Sequence, residues 1–320
     1  MGLPQPKQDA LEARLDALTI PADTWPRAAR EAALERLREM GLPGARDEYW
    51  KFTRPDTLVQ PEAPEAALLE NDEAPVFDAF DRLRIVFVDG VFDPEASDPL
   101  DAEGIEIERL AEAGSADIHW ARDLYGTLEA GSHRRVPRPL AALNTAVAAD
   151  GLLIRVTGQP SRPVSLVYHH RATRSDASLH HCIKLAPGAR LTLLENGPAA
   201  ARFNKVMEVD LADDAVLHHV RTQGRDHERR AATHVFARLG ARSVFKSFSM
   251  TVNGVMTRNE CVVDLDGPNA VAHVAGACVG DGDFHQDDTV FITHRAPDCE
   301  SRQVFKKVLR NGAVGVFQGK

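Results

Sequence analysis

Residues 185–194, LAPGARLTLL, decide the reading of this chain. A Pro-Gly-Ala turn signal runs straight into a short segment rich in branched side chains. The same punctuation recurs downstream. Pro187-Gly188-Ala189, Asp213-Asp214-Ala215, Gly240-Ala241 and Gly267-Pro268 each follow a strand-like run, and they start 26, 27 and 27 residues apart. A fixed period of that size marks a solenoid, in which each unit buries its apolar face only against its neighbours. Helical patterns are nearly absent between 150 and 300. Short segments at 152–156, 164–168, 191–194, 216–220, 244–248 and 290–293 carry β-branched and aromatic residues instead. A parallel β-helix or stacked β-solenoid is therefore expected. The competing fold is a β-sandwich, whose turn signals fall about every 8–12 residues.

Upstream of this region the texture changes. Leu11, Leu15 and Leu18 predict a helix over 8–18, and Ala29, Ala33, Leu34 and Leu37 predict another over 27–40. Gly41-Leu42-Pro43-Gly44 ends the second helix. Residues 60–75, rich in Pro, Ala and Glu, read as a linker. Residues 83–90, LRIVFVDG, read as a buried strand closing in a turn, and 116–130 as a further helical stretch. The resulting division is a helical domain over 1–60, a linker with a mixed α/β segment over 61–135, and a β-helix core over 136–320. The fold class is mainly β with a helical N-terminal part.

The 320 residues are 43% apolar and 27% charged, which suits one large domain or two smaller ones and excludes disorder, a collagen-like fibre and a disulfide scaffold. The net charge of −9 is unevenly spread. Residues 1–150 carry 16 basic and 30 acidic side chains, whereas residues 151–320 carry 22 and 17, together with 11 of the 13 histidines. No stretch reaches the roughly 18 apolar residues a membrane span needs, and the N-terminus lacks the apolar core of a secretory signal. The four cysteines, Cys182, Cys261, Cys278 and Cys299, form no CxxC pair and are expected to be reduced thiols in a cytoplasmic protein. An acidic chain without a basic cluster excludes nucleic acid as the expected partner.

Catalytic motifs are sparse. There is no Walker A sequence, dinucleotide fingerprint, HExxH or GxSxG, so any nucleotide hydrolysis must come from a partner. His180-His181-Cys182 and His218-His219 resemble ligand clusters, but neighbours on a strand point to opposite faces. Carrying the 26, 27, 27 period forward from His181 gives Met207, His234 and Cys261, a ladder of metal-compatible side chains. Such residues are also ordinary solenoid core, and a one-residue slip would reverse every one of them. Asp287, His294 and Ser301 have the residue types of a triad without a nucleophile elbow. Cys299, after Pro297, is expected on a turn, where Arg295 or Arg302 could activate its thiol. The metal candidates are therefore His234, Cys261 and Cys299. Tyr49, Trp50 and Phe52 are expected to dock the helical region onto the rest of the chain.

Three ordered blocks carry a family resemblance. Residues 41–53, GLPGARDEYWKFT, residues 83–92, LRIVFVDGVF, and residues 301–320, SRQVFKKVLRNGAVGVFQGK, are similar to signature segments of the SufB/SufD family of iron–sulfur cluster assembly proteins. The first two are SufD-like rather than SufB-like. The matched positions are Glu48, Trp50, Lys51, Ser301, Arg302, Gln303 and Lys306, most simply read as structural. The resemblance implies a right-handed parallel β-helix and a non-catalytic scaffold working with a SufB-like subunit and the SufC-like ATPase. It implies no cofactor in the chain alone and a transient iron–sulfur cluster in the assembled complex. The family's C-S-H-G-A-T block and C-terminal helical domain find no counterpart here, so no functional histidine carries over, and self-association through the end of the solenoid is expected. The alternatives are a β-helix enzyme acting on polysaccharide and a self-associating homodimer.

Overall fold

The computed structural model describes residues 3–68, 76–133, 136–197, 199–224 and 228–320. The later part of the expected 60–75 linker, residues 69–75, lies outside the described residues. Helices come first: α1 (Gln5–Asp16), α2 (Arg27–Met40) and α3 (Asp56–Val59). Four strands follow, β1 (Leu83–Val88), β2 (Val91–Asp93), β3 (Asp101–Ala102) and β4 (Ile105–Arg109), then α4 (Leu110–Ala113), α5 (Thr127–Ser132) and α6 (Pro139–Val147). The expected helix over 116–130 is instead a short 3-10 turn, Trp120–Asp123, and α5, because Gly126 between them takes φ +71°. That left-handed conformation breaks the helical path. Among the described residues no helix is long and apolar enough to cross a membrane.

From Leu152 onward the chain is a β-solenoid of about 6 turns. Its strands are β5 (Leu152–Val156), β6 (Val164–His169), β7 (Asp176–Leu185), β8 (Arg190–Gly197), β9 (Arg202–Leu211) and β10 (Val216–Gln223). They continue with β11 (Arg230–Leu239), β12 (Val244–Val252), β13 (Met256–Leu265), β14 (Val271–Asp281), β15 (His285–His294), β16 (Glu300–Arg310) and β17 (Val314–Gly319). They alternate between two sheets. The first has the order β16-β14-β12-β10-β8-β6-β1-β2 and the second β17-β15-β13-β11-β9-β7-β5-β4-β3. Pairing within the solenoid is parallel. The first sheet also recruits β1, the strand expected over 83–90, parallel to β6.

The turn signals do the work their residue types allow. Gly188, Asp214, Arg242, Asn269 and Asp298, one per coil, all have positive φ, between 56° and 72°. The amide of each of the first four donates to a carbonyl one coil on: Gly188 to Asp213, Asp214 to Ala241, Arg242 to Pro268 and Asn269 to Pro297. Gly and the short polar residues tolerate this conformation. Arg242 is the costly member, and its guanidinium is held by both carboxylate oxygens of Asp214 at 2.7 Å.

Three surfaces follow from strand alternation. The lumen holds one continuous apolar core, including Leu185, Leu191, Met207, Leu217, Val235, Phe245, Cys261 and Val290. The outer face of the second sheet carries Val206, Phe236, Val262 and Phe291 and packs with Val136 and Ala141 beneath α6. All nine residues of α6 are buried, which suits its apolar sequence and its N-terminal Pro139. Leu37 of α2 and Leu140, Leu143 and Val147 of α6 share a second apolar cluster, which bolts the N-terminal helices on top.

Candidate functional site

The register corrects the expected metal ladder. His181 does pair with Met207, but Met207 pairs with Val235, not His234. The step from β9 to β11 is 28 residues, as Arg202 opposite Arg230 shows, so a 27-residue count lands one position short. His234 therefore stands opposite Val206 and Glu260 on the outer face, while Cys261 lies in the lumen opposite Val235 and Val290. The sheet separates them. Burial pushes the Cys261 thiol up to about 12 and the His234 imidazole down to about 4. Cys299 is on a turn, as expected, with its thiol 3.3 Å from the Gly267 carbonyl. Arg295 is engaged elsewhere, 2.7 Å from Asp264.

Of the triad residue types, two meet. His294 Nε2 lies 3.0 Å from Ser301 Oγ. Asp287 sits seven positions back along β15, about 23 Å away at strand rise. It is fully buried and accepts from Arg258 at 2.5 Å and Thr53 at 2.6 Å.

The signature positions divide by burial. Trp50 is 4% exposed, whereas Glu48 and Lys51 face solvent. The Arg258 guanidinium lies 4.3 Å over the Trp50 ring, and the Lys51 ammonium lies over Phe52 at 5.4 Å. Arg258 also donates to Glu260, which accepts from Arg138 at 2.9 Å. These two cations hold the Glu260 carboxyl down at about 2 despite full burial. Ser301 is half-buried, and Arg302, Gln303 and Lys306 are exposed on β16.

Two buried polar clusters lie on opposite faces of the second sheet. On the outer face, His180, Cys182 and Glu208 offer donor atoms all within 4.8 Å of one another, and none is exposed to solvent. The ligand types suit a transition metal. The carboxylate, however, is already engaged: it accepts from the backbone amides of Gly126, Leu128 and Glu129 and lies 2.9 Å from His180 Nε2. It caps the start of α5. Burial pushes the Cys182 thiol well up, the His180 imidazole down to about 3 and Glu208 up to about 8. A metal here would have to strip the cap from α5. The cluster is built as a joint between helix and sheet.

Inside the lumen, Glu195 collects four partners. Lys205 pairs with it, 2.5 Å from Oε2, His219 Nε2 lies at 2.8 Å, and Tyr168 donates at 2.9 Å. Arg221, opposite Glu195 in the register, adds its charge from the next coil. The Lys205 and Arg221 charges and the His219 hydrogen bond hold the Glu195 carboxyl well below the carboxylate range despite its burial, and desolvation lowers Lys205 to about 8. The polar file continues. Arg221 donates to Thr233 at 2.7 Å, Thr233 to Asn259 at 2.8 Å, and Asn259 to Asp288 at 3.3 Å. Lys307 closes it, 2.5 Å from Asp288. Two small cavities of about 30 and 20 Å³ lie against this file. Each has room for about one water molecule.

Sequence reading missed Glu195, Lys205 and Glu208. The signal was present as parity: Leu191 and Leu193 face inward, so Glu195 must follow them, and Lys205 lies between inward Phe203 and Met207.

Comparison with known proteins agrees with this architecture. Residues 168–320, which span the solenoid from the end of β6, match the family described as SUF system FeS cluster assembly, SufBD core domain. The chain is 24% identical over 306 residues to the iron–sulfur cluster assembly protein SufD of Escherichia coli, covering 89% of this chain and 67% of that protein. It is 29% identical over 119 residues to the iron–sulfur cluster assembly SufBD family protein ML0594 of Mycobacterium leprae, covering 36% of this chain and 26% of that one. The chain thus spans about two thirds of the first relative's length and about a quarter of the second's. With a solenoid whose residues 168–320 match the SufBD core domain and a likeness to SufD over 89% of its length, the chain is similar to the SufB/SufD family of iron–sulfur cluster assembly proteins.

Proposed function

We propose that the chain is a non-catalytic scaffold subunit of a cytoplasmic SUF complex, acting with a SufB-like subunit and a SufC-like ATPase. The observation that supports it best is the extent of the likeness to E. coli SufD, which covers 89% of the chain and so extends well beyond the matched core. The buried chemistry favours the same reading. The lumen charges are paired with one another, and the three buried thiols are held protonated by desolvation. The cluster is then cargo, formed where subunits meet, with no resident cofactor in this chain.

Co-expression with SufB-like and SufC-like proteins, followed by affinity purification and size-exclusion chromatography, tests the reading. Co-elution of all three at fixed stoichiometry is expected. Elution of this chain apart from both would overturn it. Anaerobic reconstitution of the chain alone with iron and sulfide should leave little bound iron after desalting.

A further inference from the structure

The two sheets of the solenoid have different outer faces. Helices of the same chain cover the second sheet, and its outward Val206, Phe236, Val262 and Phe291 are buried. Across β10, β12, β14 and β16 the first sheet presents a similar apolar band with nothing over it among the described residues. Val220, Phe248, Ala275 and Val304 form one in-register row, and Val252, Val279 and Val308 another. Phe248, Val279 and Val308 are 39%, 40% and 57% exposed.

Two positions along each strand from the first apolar row runs a second row, His218–Lys246–His273–Arg302. It places four basic side chains on four successive strands, about 4.8 Å apart. Directly opposed like charges destabilise a sheet. Burial, Lys246 and Arg190 together push the His218 imidazole down. Within the row His273 has a carboxylate partner, Glu300 at 3.0 Å, in the adjacent row. His218, Lys246 and Arg302 have none among the described residues. The nearest other outward acid on these strands, Asp281, lies at the far end of β14 and pairs with Asn311 at 2.8 Å.

We propose that this face of the first sheet, built on Phe248 and the His218–Lys246–His273–Arg302 ladder, docks an acidic amphipathic helix of a partner protein. A helix laid along the solenoid axis repeats every 5.4 Å or so, close to the strand spacing, so carboxylates at successive turns meet one basic side chain per coil. Its apolar stripe then covers the row of Phe248, as α6 covers the second sheet. The inference is independent of which complex the chain joins.

The test places a photo-crosslinker on this face of the full chain in its own cells, as Phe248→p-benzoylphenylalanine, with the same substitution at exposed Ile118 as control. Mass spectrometry of the adducts should return peptides with net negative charge and apolar residues at i, i+3/i+4 and i+7. The double variant Lys246→Glu/Arg302→Glu, at two exposed positions, should cut adduct yield at least tenfold while keeping the parent melting curve. Adducts to a second copy of this chain, adducts without acidic bias, or yield unchanged in the double variant would each overturn the proposal. So would a yield at position 248 no higher than at 118.

Discussion

Arg258 lies face-on over Trp50 at 4.3 Å and donates to the carbonyl of Tyr49 at 2.9 Å, so one side chain of the second sheet grips the N-terminal region twice. The same guanidinium holds Asp287, which accepts from Thr53, three residues after Trp50. Residues 49–53 are thus clamped to β13 and β15 by a stacked, ionic and hydrogen-bonded contact. Trp50→Ala removes the stack and leaves a cavity, a change worth about 3–5 kcal/mol in a packed core. Urea unfolding followed by circular dichroism should show that loss, and limited proteolysis should cut first near residue 50. Arg258→Lys keeps the charge but not the planar fork, so it is expected to restore only part of the stability.

The lumen pair makes a second, sharper prediction. Glu195 and Lys205 have no solvent exposure, and each is neutralised chiefly by the other. Removing one partner strands a buried charge at a cost of about 3–5 kcal/mol. Lys205→Met alone should therefore destabilise strongly. The double variant Lys205→Met/Glu195→Gln should recover part of the loss, since neither member of the pair is left charged and Tyr168 and His219 can still bond the amide, while Arg221 keeps its bonds to Thr233 and Ser249 but loses its carboxylate. The urea midpoints of the parent, the two single variants and the double variant measure the coupling directly.

Residues 187–194 and their three echoes made the solenoid legible because the turn chemistry is local. A residue with positive φ must recur once per coil, and Gly, Asp and Asn advertise it. The clusters were harder to see because they depend on parity. Asp176, Arg202, Arg230 and Met256 are successive partners, with steps of 26, 28 and 26, and β15 and β17 then follow at 29. A mean period of 27 predicts the coil but not the face, which is why His234 was placed with Met207. Charged residues inside a strand carry no local mark of burial, yet Glu195, Lys205 and Glu208 are all interior. Glu195 and Lys205 pair across a turn between the two sheets, and the partners of Glu208 are distant in sequence, the start of a helix 79–82 residues upstream.

That cap supports a third prediction. Glu208 satisfies three amides at the start of α5, so Glu208→Ala should cost about 1–3 kcal/mol through groups left unpaired in the interior. Glu208→Gln, which keeps one acceptor oxygen, should cost less. Because the carboxylate is engaged in this way, the cluster is expected to hold no zinc. Dialysis against EDTA should leave the melting temperature unchanged, and a drop of several degrees would reassign His180, Cys182 and Glu208 as ligands.

Acid stability follows from the buried imidazoles. His180 and His181 are held down at about 3 and His234 at about 4, chiefly by burial. Each folded-state value lies below the free value of 6.5, so the unfolded chain binds more protons as pH falls through 6.5. Their stabilisation is complete above that pH and is lost on the way down. Glu208 acts in the opposite sense. Raised from 4.5 to about 8, it is protonated when folded and ionised when unfolded between those values, so acidification favours the fold there. Between pH 6.5 and 5 the balance is three protons taken up on unfolding against one released. Because the free imidazoles are only half protonated at pH 6.5, the unfolding free energy should fall by about 2 kcal/mol per pH unit averaged over that interval. His219 and His285, also lowered by burial, act in the same direction as the three. Urea titrations at half-unit intervals measure the slope. His181→Gln should reduce it by about 1 kcal/mol per unit. A flat profile from pH 6.5 to 5 would mean that these imidazoles are not neutral in the folded chain.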